Sequence, residues 1–349
     1  MDVQNASLQV NALCRSSDGW DEVDDLDKVL ELRADPSRLV WVEADVSEAA
    51  PEAARSLAQG FGLDPLAVED AMEARQRPKL EPYPGHLLVI LHQLDELEDQ
   101  LEPRQMAAFV GAGFVIVLHH GADRLVREAR ARLSGDEDPT AHRLLHALVD
   151  STVDDYEAKA NELGEDVEEL ETQALAVARR SGADGEDPAG ELPDQYQLYT
   201  VKQQLSMLRR YALPLGRSLD RLAHADGAGV QADVAADADA QEETELQFRD
   251  VQDHVLRLGA QVRSIDELAS GVLDLTRSIQ ADTLNDINKK LTGWAAVIAG
   301  PALIVGLYGT NYGLLPSKAL GNWGFVFVVG LMLGTAAGLY AFFRRRRWI

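Results

Sequence analysis

Two apolar stretches, Leu291 to Tyr308 and Gly324 to Phe343, flank a short polar segment that opens with Tyr308-Gly309-Thr310-Asn311. Asn311 carries a neutral amide oxygen. Such a group can hold the hydration shell of a small hard cation, which dehydrates reluctantly and keeps several of its waters. Taken alone, an asparagine here reads first as a helix C-cap, a common role for that residue. Gly309, lacking a Cβ, would let the backbone turn at a helix end. Neither apolar stretch contains Asp, Glu, His, Lys or Arg. No relay of ionisable side chains runs through them.

Other residues with chemical potential lie upstream. His142 and His146 stand at i and i+4 with Asp150 one turn on, so a helix would carry all three on one face, as zinc ligands are carried. The same three also read as ordinary surface residues of an acidic helix. Gly111-Ala112-Gly113 lacks the remaining spacing of a dinucleotide fingerprint and reads as a turn before a strand, which His119-His120 then end. No enzyme signature and no organic-cofactor motif is found.

The elements that would position the polar segment are a hairpin of two spans. Each apolar stretch is near the length that crosses a bilayer core as a helix. Arg344-Arg345-Arg346-Arg347 follow the second stretch and Lys289-Lys290 precede the first. Short basic flanks stay cytoplasmic, which places both termini inside and the Asn311 loop outside, in a multi-pass protein of the plasma (inner) membrane. Trp294, Trp323 and Trp348 fall near the span ends, where amphipathic rings settle at headgroup level. The residues before Cys14 show no basic segment followed by an apolar run, so insertion is expected to be driven by the C-terminal spans.

The 349 residues carry a net charge of -25. Residues 285–349 hold seven Lys/Arg against the single acid Asp286, leaving 26 basic and 57 acidic groups, a net of -31, for the remainder. Such a body repels nucleic acid and anionic lipid and attracts cations, divalent ones wherever carboxylates converge. The single cysteine, Cys14, excludes an internal disulfide and a multi-thiolate metal site, and suits a reducing cytosol.

Upstream of the spans, Leu39 to Glu43, Leu87 to Leu91 and Phe114 to Leu118 read as buried strands and Ala49 to Gly62 as an amphipathic helix. Pro78, Pro82 and Pro84 suit an ordered loop before the second strand. Beyond Gly135 long helices are expected over Pro139 to Arg180, Gln195 to Ala223, and from about Gln241 with no proline until Pro301. Ser181 to Pro193 and Ala225 to Gln241 break them as low-complexity linkers. A helix over Glu242 to Tyr308 would extend roughly 100 Å at about 1.5 Å per residue, forming a stalk outside the bilayer. Its apolar positions Val255, Leu256, Leu268, Val272, Leu275 and Ile279 would need partners, which implies oligomerisation.

The predicted class is therefore an α+β membrane protein. Residues 1–36 are an N-terminal extension, 37–135 a cytoplasmic α/β domain, 136–241 a helical pair with acidic linkers and 242–290 the stalk. The first span with its polar motif takes 291–312, an outer loop 313–323, the second span 324–343 and a basic tail 344–349.

These residues resemble the CorA family of divalent-cation channels and transporters over nearly the whole chain. The resemblance is carried by the Leu291-Thr292 start of the first span, Tyr308-Gly309-Thr310-Asn311, and the second span ending in basic residues and Trp348. Further matches are Phe61 to Asp70, Arg77-Pro78-Lys79-Leu80, Phe248 to His254 and Asn285. It implies a funnel-shaped homopentamer whose pore is lined by the first span. Gly309, Thr310 and Asn311 would be the selectivity filter, five Asn311 carboxamides forming its ring, with Tyr308 packed between subunits. Asn285 would form a second polar ring, with Leu291 and Ala299 lining the path between, Leu291 as a constriction that gates by dewetting. Read without the resemblance, Leu291 is a packing or lipid-facing residue.

The resemblance also points to regulatory carboxylates, Asp250 with a partner among Asp95, Glu96, Glu98 and Asp99. Internal divalent ions bridging them would hold the pore shut. The implied function is transport of Mg2+ and Co2+. Thr310 stands where the family motif Gly-Met-Asn has its middle residue, and the outer loop Tyr312 to Trp323 holds Lys318 and no carboxylate. Both raise the alternative of a Zn2+ transporter of the ZntB branch, with proton coupling. A more distant alternative is a membrane-anchored metal sensor that does not conduct. The expected partners are divalent cations, the lipid bilayer and other copies of the chain, and no nucleic acid.

Overall fold

Three apolar runs form inner strands of a seven-stranded sheet. The computed structural model describes residues 10–16, 19–23, 26–33, 35, 38–47, 51–133, 140–181, 192–224, 238–310 and 322–349. The strands are β1 (Val10–Ser16), β2 (Gly19–Val23), β3 (Leu39–Asp45), β4 (Lys79–Tyr83), β5 (His86–Leu97), β6 (Gln100–Gly111) and β7 (Phe114–His119). Their order across the sheet is β2-β1-β3-β7-β6-β5-β4. β3 and β7 pair in parallel, Val40 opposite Phe114 and Val42 opposite Ile116. The other neighbours are antiparallel.

The central strands are buried on both faces, which is why they read as unbroken apolar runs. On one face Val40, Val42, Ile90 and Ile116 pack with Val29, Leu57, Phe61 and Val68 of α1 (Leu26–Arg33), α2 (Pro51–Phe61) and α3 (Pro65–Met72). Cys14 lies in that layer, buried, and its burial raises the thiol pKa. On the other face Trp41, Val89, Val115 and Val117 meet Leu125, Val126, Leu144, Leu148, Leu215 and Val255. Those six come from α4 (Asp123–Leu133), α5 (Ala141–Ser181), α6 (Gln195–His224) and α7 (Ala238–Gly309). The last helix is α8 (Asn322–Arg345).

Contacts divide the chain into two compact units. One takes Met1–Glu169 with Gln195–Ser270, the other Leu170–Asp194 with Gly271–Ile349. In the first unit α7 buries Phe248, Val251, Val255, Leu258, Val262, Ile265 and Ala269 at alternating spacings of three and four. Its neighbours there come from the same chain. A Cβ on Gly216 of α6 would lie 2.8 Å from Val255 Cγ1, and one on Gly164 of α5 would lie 3.4 Å from Ile265 Cδ1. Lys202 Nζ bonds Asp266 Oδ1 at 2.6 Å, and Gln261 Nε2 donates to Asn161 Oδ1 at 2.6 Å. In the second unit the apolar stripe of α7 goes on through Val272, Leu273 and Ile279, all buried.

The stalk is thus not unpartnered. Val255, Val272 and Ile279 are buried within a single chain, so they give no argument for oligomerisation, contrary to the reading above; Leu256 alone of that set remains strongly exposed.

The boundary at residue 37 is also displaced. β1 and β2 precede it yet pair with β3 in the same sheet, Leu13 opposite Trp41, because a strand mixing Asn11, Arg15 and Ser16 with apolar residues shows no clean period. Pro82 lies within β4, not in a loop. As an edge strand β4 tolerates the missing donor. The Gly111-Ala112-Gly113 turn is present between β6 and β7, with Gly113 at φ +73, a conformation glycine adopts without strain. The linker readings fall largely on residues 182–191 and 225–237, outside the described residues.

Candidate functional site

The polar motif sits at the carboxyl end of α7. Gly309 is the last helical residue, and its φ is not in the left-handed region. The helix ends here without a left-handed glycine, and among the described residues a Cβ there would meet no atom within 4 Å. Thr310 closes the last turn. Its N–H donates to the Gly306 carbonyl at 3.3 Å and its hydroxyl to the Leu307 carbonyl at 2.7 Å. Tyr308 is half-buried and Thr310 exposed. Asn311 and the loop through Gly321 lie outside the described residues.

Toward the amino end of the apolar segment, Asn285, Leu291 and Ala299 are all exposed on α7. At about 100° per residue Asn285 and Ala299 fall about 40° apart around the helix, and Leu291 about 80° from Ala299. These three occupy neighbouring arcs and no single line. Asp286, next to Asn285, pairs with Lys289 at 2.9 Å, which lowers its carboxyl pKa.

Two helices carry stretches long and apolar enough to cross a bilayer, one within Leu246–Gly309 and one in Trp323–Arg345, and both stretches are almost entirely uncovered in this chain. The two helices touch at glycines. A Cβ on Gly300 would lie 2.8 Å from Leu339 Cδ1, and one on Gly293 would lie 2.9 Å from Ile349 Cγ1. Trp294 meets Tyr340 with ring centroids 6.2 Å apart. After α8 the chain folds back, Trp348 N–H donating to the Phe343 carbonyl at 2.9 Å with their rings stacked.

The acidic candidates divide sharply. Asp95 is taken: Arg104 Nε stands 2.6 Å from one oxygen, Gln93 Nε2 donates to the other at 2.7 Å, and Arg124 lies 4.0 Å away. With Glu96, Arg104, Arg124, Asp155 and Lys159 it lines an open cleft of about 520 Å³ in the first unit. Asp155 is held by Arg124 at 2.9 Å, yet burial raises its pKa. Three cations among these carboxylates leave little net attraction for a metal ion. Glu98 and Asp99 form the two-residue turn of the β5–β6 hairpin at φ 51 and 63, the Asp99 carbonyl accepting from Gln204 Nε2 at 2.7 Å.

Asp250 is elsewhere on the first unit, its side chain 75% exposed, with His254 Nε2 at 3.7 Å. The same His254 ring approaches Glu157 at 3.6 Å. A pairing of Asp250 with the Asp95 group is not made within this chain. Glu157 escaped sequence reasoning because it lies far from Asp250 in the chain, and only helix packing brings it to His254.

The histidine site is not assembled. Burial lowers the His142 pKa, the His146 ring packs edge-on against Phe248, and Asp150 is bound by Arg132 at 2.6 Å. Among the described residues no group of three or more His, Cys, Asp or Glu is placed to hold a metal ion.

Comparison with known proteins matches this arrangement along its length. The chain is 25% identical over 331 residues to the cobalt/magnesium transport protein CorA of Thermotoga maritima, covering 93% of this chain and 87% of that protein. Its fold superposes on the complete CorA magnesium transporter of Methanocaldococcus jannaschii with a TM-score of 0.77 at 19% identity, covering 97% and 98% of the two chains. The cytoplasmic domain of ZntB from Vibrio parahaemolyticus matches with a TM-score of 0.59 at 11% identity, covering 79% of this chain and 99% of that one. Fold alone therefore does not separate the two branches. The profile of the family described as CorA-like Mg2+ transporter protein covers residues 36–345, and the chain belongs to that family of membrane transporters of divalent cations.

Proposed function

We propose that this chain assembles as a homopentamer in the plasma (inner) membrane, both termini cytoplasmic, and conducts Mg2+ and Co2+ through a pore lined by α7. The observation that carries this reading is the position of Tyr308-Gly309 at the end of a 72-residue helix, with Thr310 closing its last turn and Asn311 next in the sequence. Past Leu284 that helix leaves its large apolar side chains uncovered in one chain. Only two candidate spans occur among the described residues. A pair of helices cannot enclose a water-filled path, so conduction requires several copies about an axis. Asn311 supplies the amide ring of the filter, Asn285 an inner polar ring, and Leu291 and Ala299 the path between.

Internal divalent ions close the pore by binding the closed state better than the open one. Asp250 is the carboxylate best suited to this, being exposed and, among the described residues, paired with no Arg or Lys. Its partner is supplied by another copy, Glu96 being a better candidate than the arginine-bound Asp95. A Zn2+ transporter, with or without proton coupling, is the second reading, favoured by Thr310 and by an outer loop without carboxylates.

Uptake into proteoliposomes of the purified protein decides between them, comparing Mg2+, Co2+ and Zn2+ with and without a pH gradient and with Asn311→Ala alongside. Mg2+ flux indifferent to the gradient and abolished in the variant is expected. Zn2+ flux that follows the gradient would move the chain to the zinc branch, and divalent-dependent conformational change without flux would leave a sensor.

A further inference from the structure

The arginines that follow the second apolar stretch are held in an ordered turn. Arg347 stands in the left-handed region at φ 56. Its N–H donates to the Arg344 carbonyl at 3.2 Å, and that of Trp348 to the Phe343 carbonyl at 2.9 Å. This bond pattern is the Schellman close of a helix, and Trp348 stacked on Phe343, ring centroids 5.5 Å apart, supplies the apolar contact that goes with it. The position Arg347 occupies normally takes glycine, which adopts that backbone without penalty. Here the chain carries an exposed arginine instead.

The same turn lays Ile349 against α7. A Cβ on Gly293 would lie 2.9 Å from Ile349 Cγ1 and 3.7 Å from Phe343 Cγ. Lys289 and Lys290 precede Gly293 by about one helical turn, so this contact brings the lysines and the arginines to one level, where both apolar stretches end. Among the described residues only Lys289 of this group is ion-paired, to Asp286 at 2.9 Å. The carboxyl end of α8 offers roughly half an elementary negative charge, far less than four arginines carry. Most of the positive charge is left unmet.

What meets it must be anionic and must also lie against apolar surface. The Arg346 guanidinium stands 5.5 Å from the centre of the Phe342 ring, and that of Arg344 5.9 Å from the centre of Tyr340. Phe342 is 52% exposed and Trp294, beside Tyr340, 50%. A soluble phosphate would answer the charge alone. A phospholipid answers the charge with its headgroup and covers the rings with its acyl chains.

We propose that Arg344, Arg345, Arg346 and Arg347, with Lys290, form a binding site for the phosphate headgroup of an anionic phospholipid where α7 and α8 meet. The site depends on both stretches crossing a bilayer and not on any ion being carried. A protein that moves no divalent cation yet retains anionic lipid would leave it standing.

The test reconstitutes the full-length protein in vesicles of equal phosphatidylglycerol and phosphatidylcholine, extracts it in mild detergent, and quantifies the lipid that purifies with it. Retained phosphatidylglycerol is expected to exceed phosphatidylcholine about fivefold or more, the weight of one cation near an anionic headgroup. Arg346→Gln with Arg347→Gln should bring the ratio to within twofold of one. Arg347→Gly suits the turn better while removing a charge. It should keep the tail folded and still lower the ratio at least twofold, so a double variant that fails to insert leaves the comparison intact.

A parent ratio near one would overturn the proposal, as would enrichment that survives in both variants. Loss of phosphatidylglycerol from the parent in an excess of inorganic phosphate would show a site for a soluble anion and overturn the assignment to lipid.

Discussion

Along α7 the same kind of side chain meets two different fates. Between Phe248 and Ala269 one face of its apolar residues is buried, Val255 to 1% exposure in the layer shared with α5, α6 and the sheet of the same chain, while Leu256 on another face stays exposed. From Leu284 onward they stand open, Leu291 at 66% and Leu303 at 67%. Both present leucine, isoleucine and valine on a helix, and what sets their hydropathy apart is the charged residues that alternate with them in the first stretch and are missing from 291–308. The difference lies in what else the chain supplies. The first stretch has two helices of its own chain to pack against. Among the described residues the second has α8, which touches it at Gly293, Gly300 and Trp294, and the remaining apolar surface is uncovered within one chain.

That contrast can be attacked at its strongest point. Val255→Asp places an unpaired charge in the layer shared by the sheet, α6 and α7, and is expected to cost about 4 kcal/mol or more. Thermal unfolding of the detergent-solubilised protein measures it, and an unchanged midpoint would show that the stripe is not a core.

Acid should act on one side of the contrast and spare the other. All eight histidines precede Val255 in the chain. His92 is buried against Tyr211, ring centroids 4.4 Å apart, and burial, reinforced by nearby Arg210, pushes its pKa down to about 3. A histidine neutral in the fold and titrating near 6.5 when unfolded contributes stability that is complete above pH 6.5 and is lost as pH falls toward 3. The slope is about 1.4 kcal/mol per pH unit, or about 2 kcal/mol by pH 5. Unfolding midpoints at pH 7.5 and pH 5 check this, and His92→Phe should flatten the difference.

Gly300→Ala probes the α7–α8 contact. The added methyl meets the flexible end of Leu339 and the Thr335 methyl. The expected cost is about 1 kcal/mol, read in the same unfolding assay. The smallest effect is reserved for Leu256→Asp, one residue from Val255 but 58% exposed. Within one chain it should change stability by less than about 0.5 kcal/mol. Dissociation of the assembly by this variant, seen as a fall in native mass, would show that another copy covers that face.

Much of this was legible in the residues themselves. β3, β5 and β7 are continuous apolar runs because both faces of the sheet are covered, and α7 could be followed through a long stretch without proline. β6 was hidden by Pro103 and a polar first half, and β1 and β2 by mixed composition. The mouth motif stood out because polar residues between two apolar stretches are rare and conspicuous. The commitment of Asp95 did not, since Arg104 reaches it across the β5–β6 hairpin and Arg124 from α4. Strand register and helix packing decide which carboxylates are free, and local sequence does not encode either.

The burial of Cys14 has a practical side. A lone thiol set within the sheet layer, its pKa raised, reacts slowly with maleimides and thiosulfonates. The natural chain is therefore already a near-silent background for site-directed labelling. A single cysteine introduced at Leu291 or Leu303 would carry a spin label or fluorophore without competition, and inter-label distances would test the proposed assembly directly.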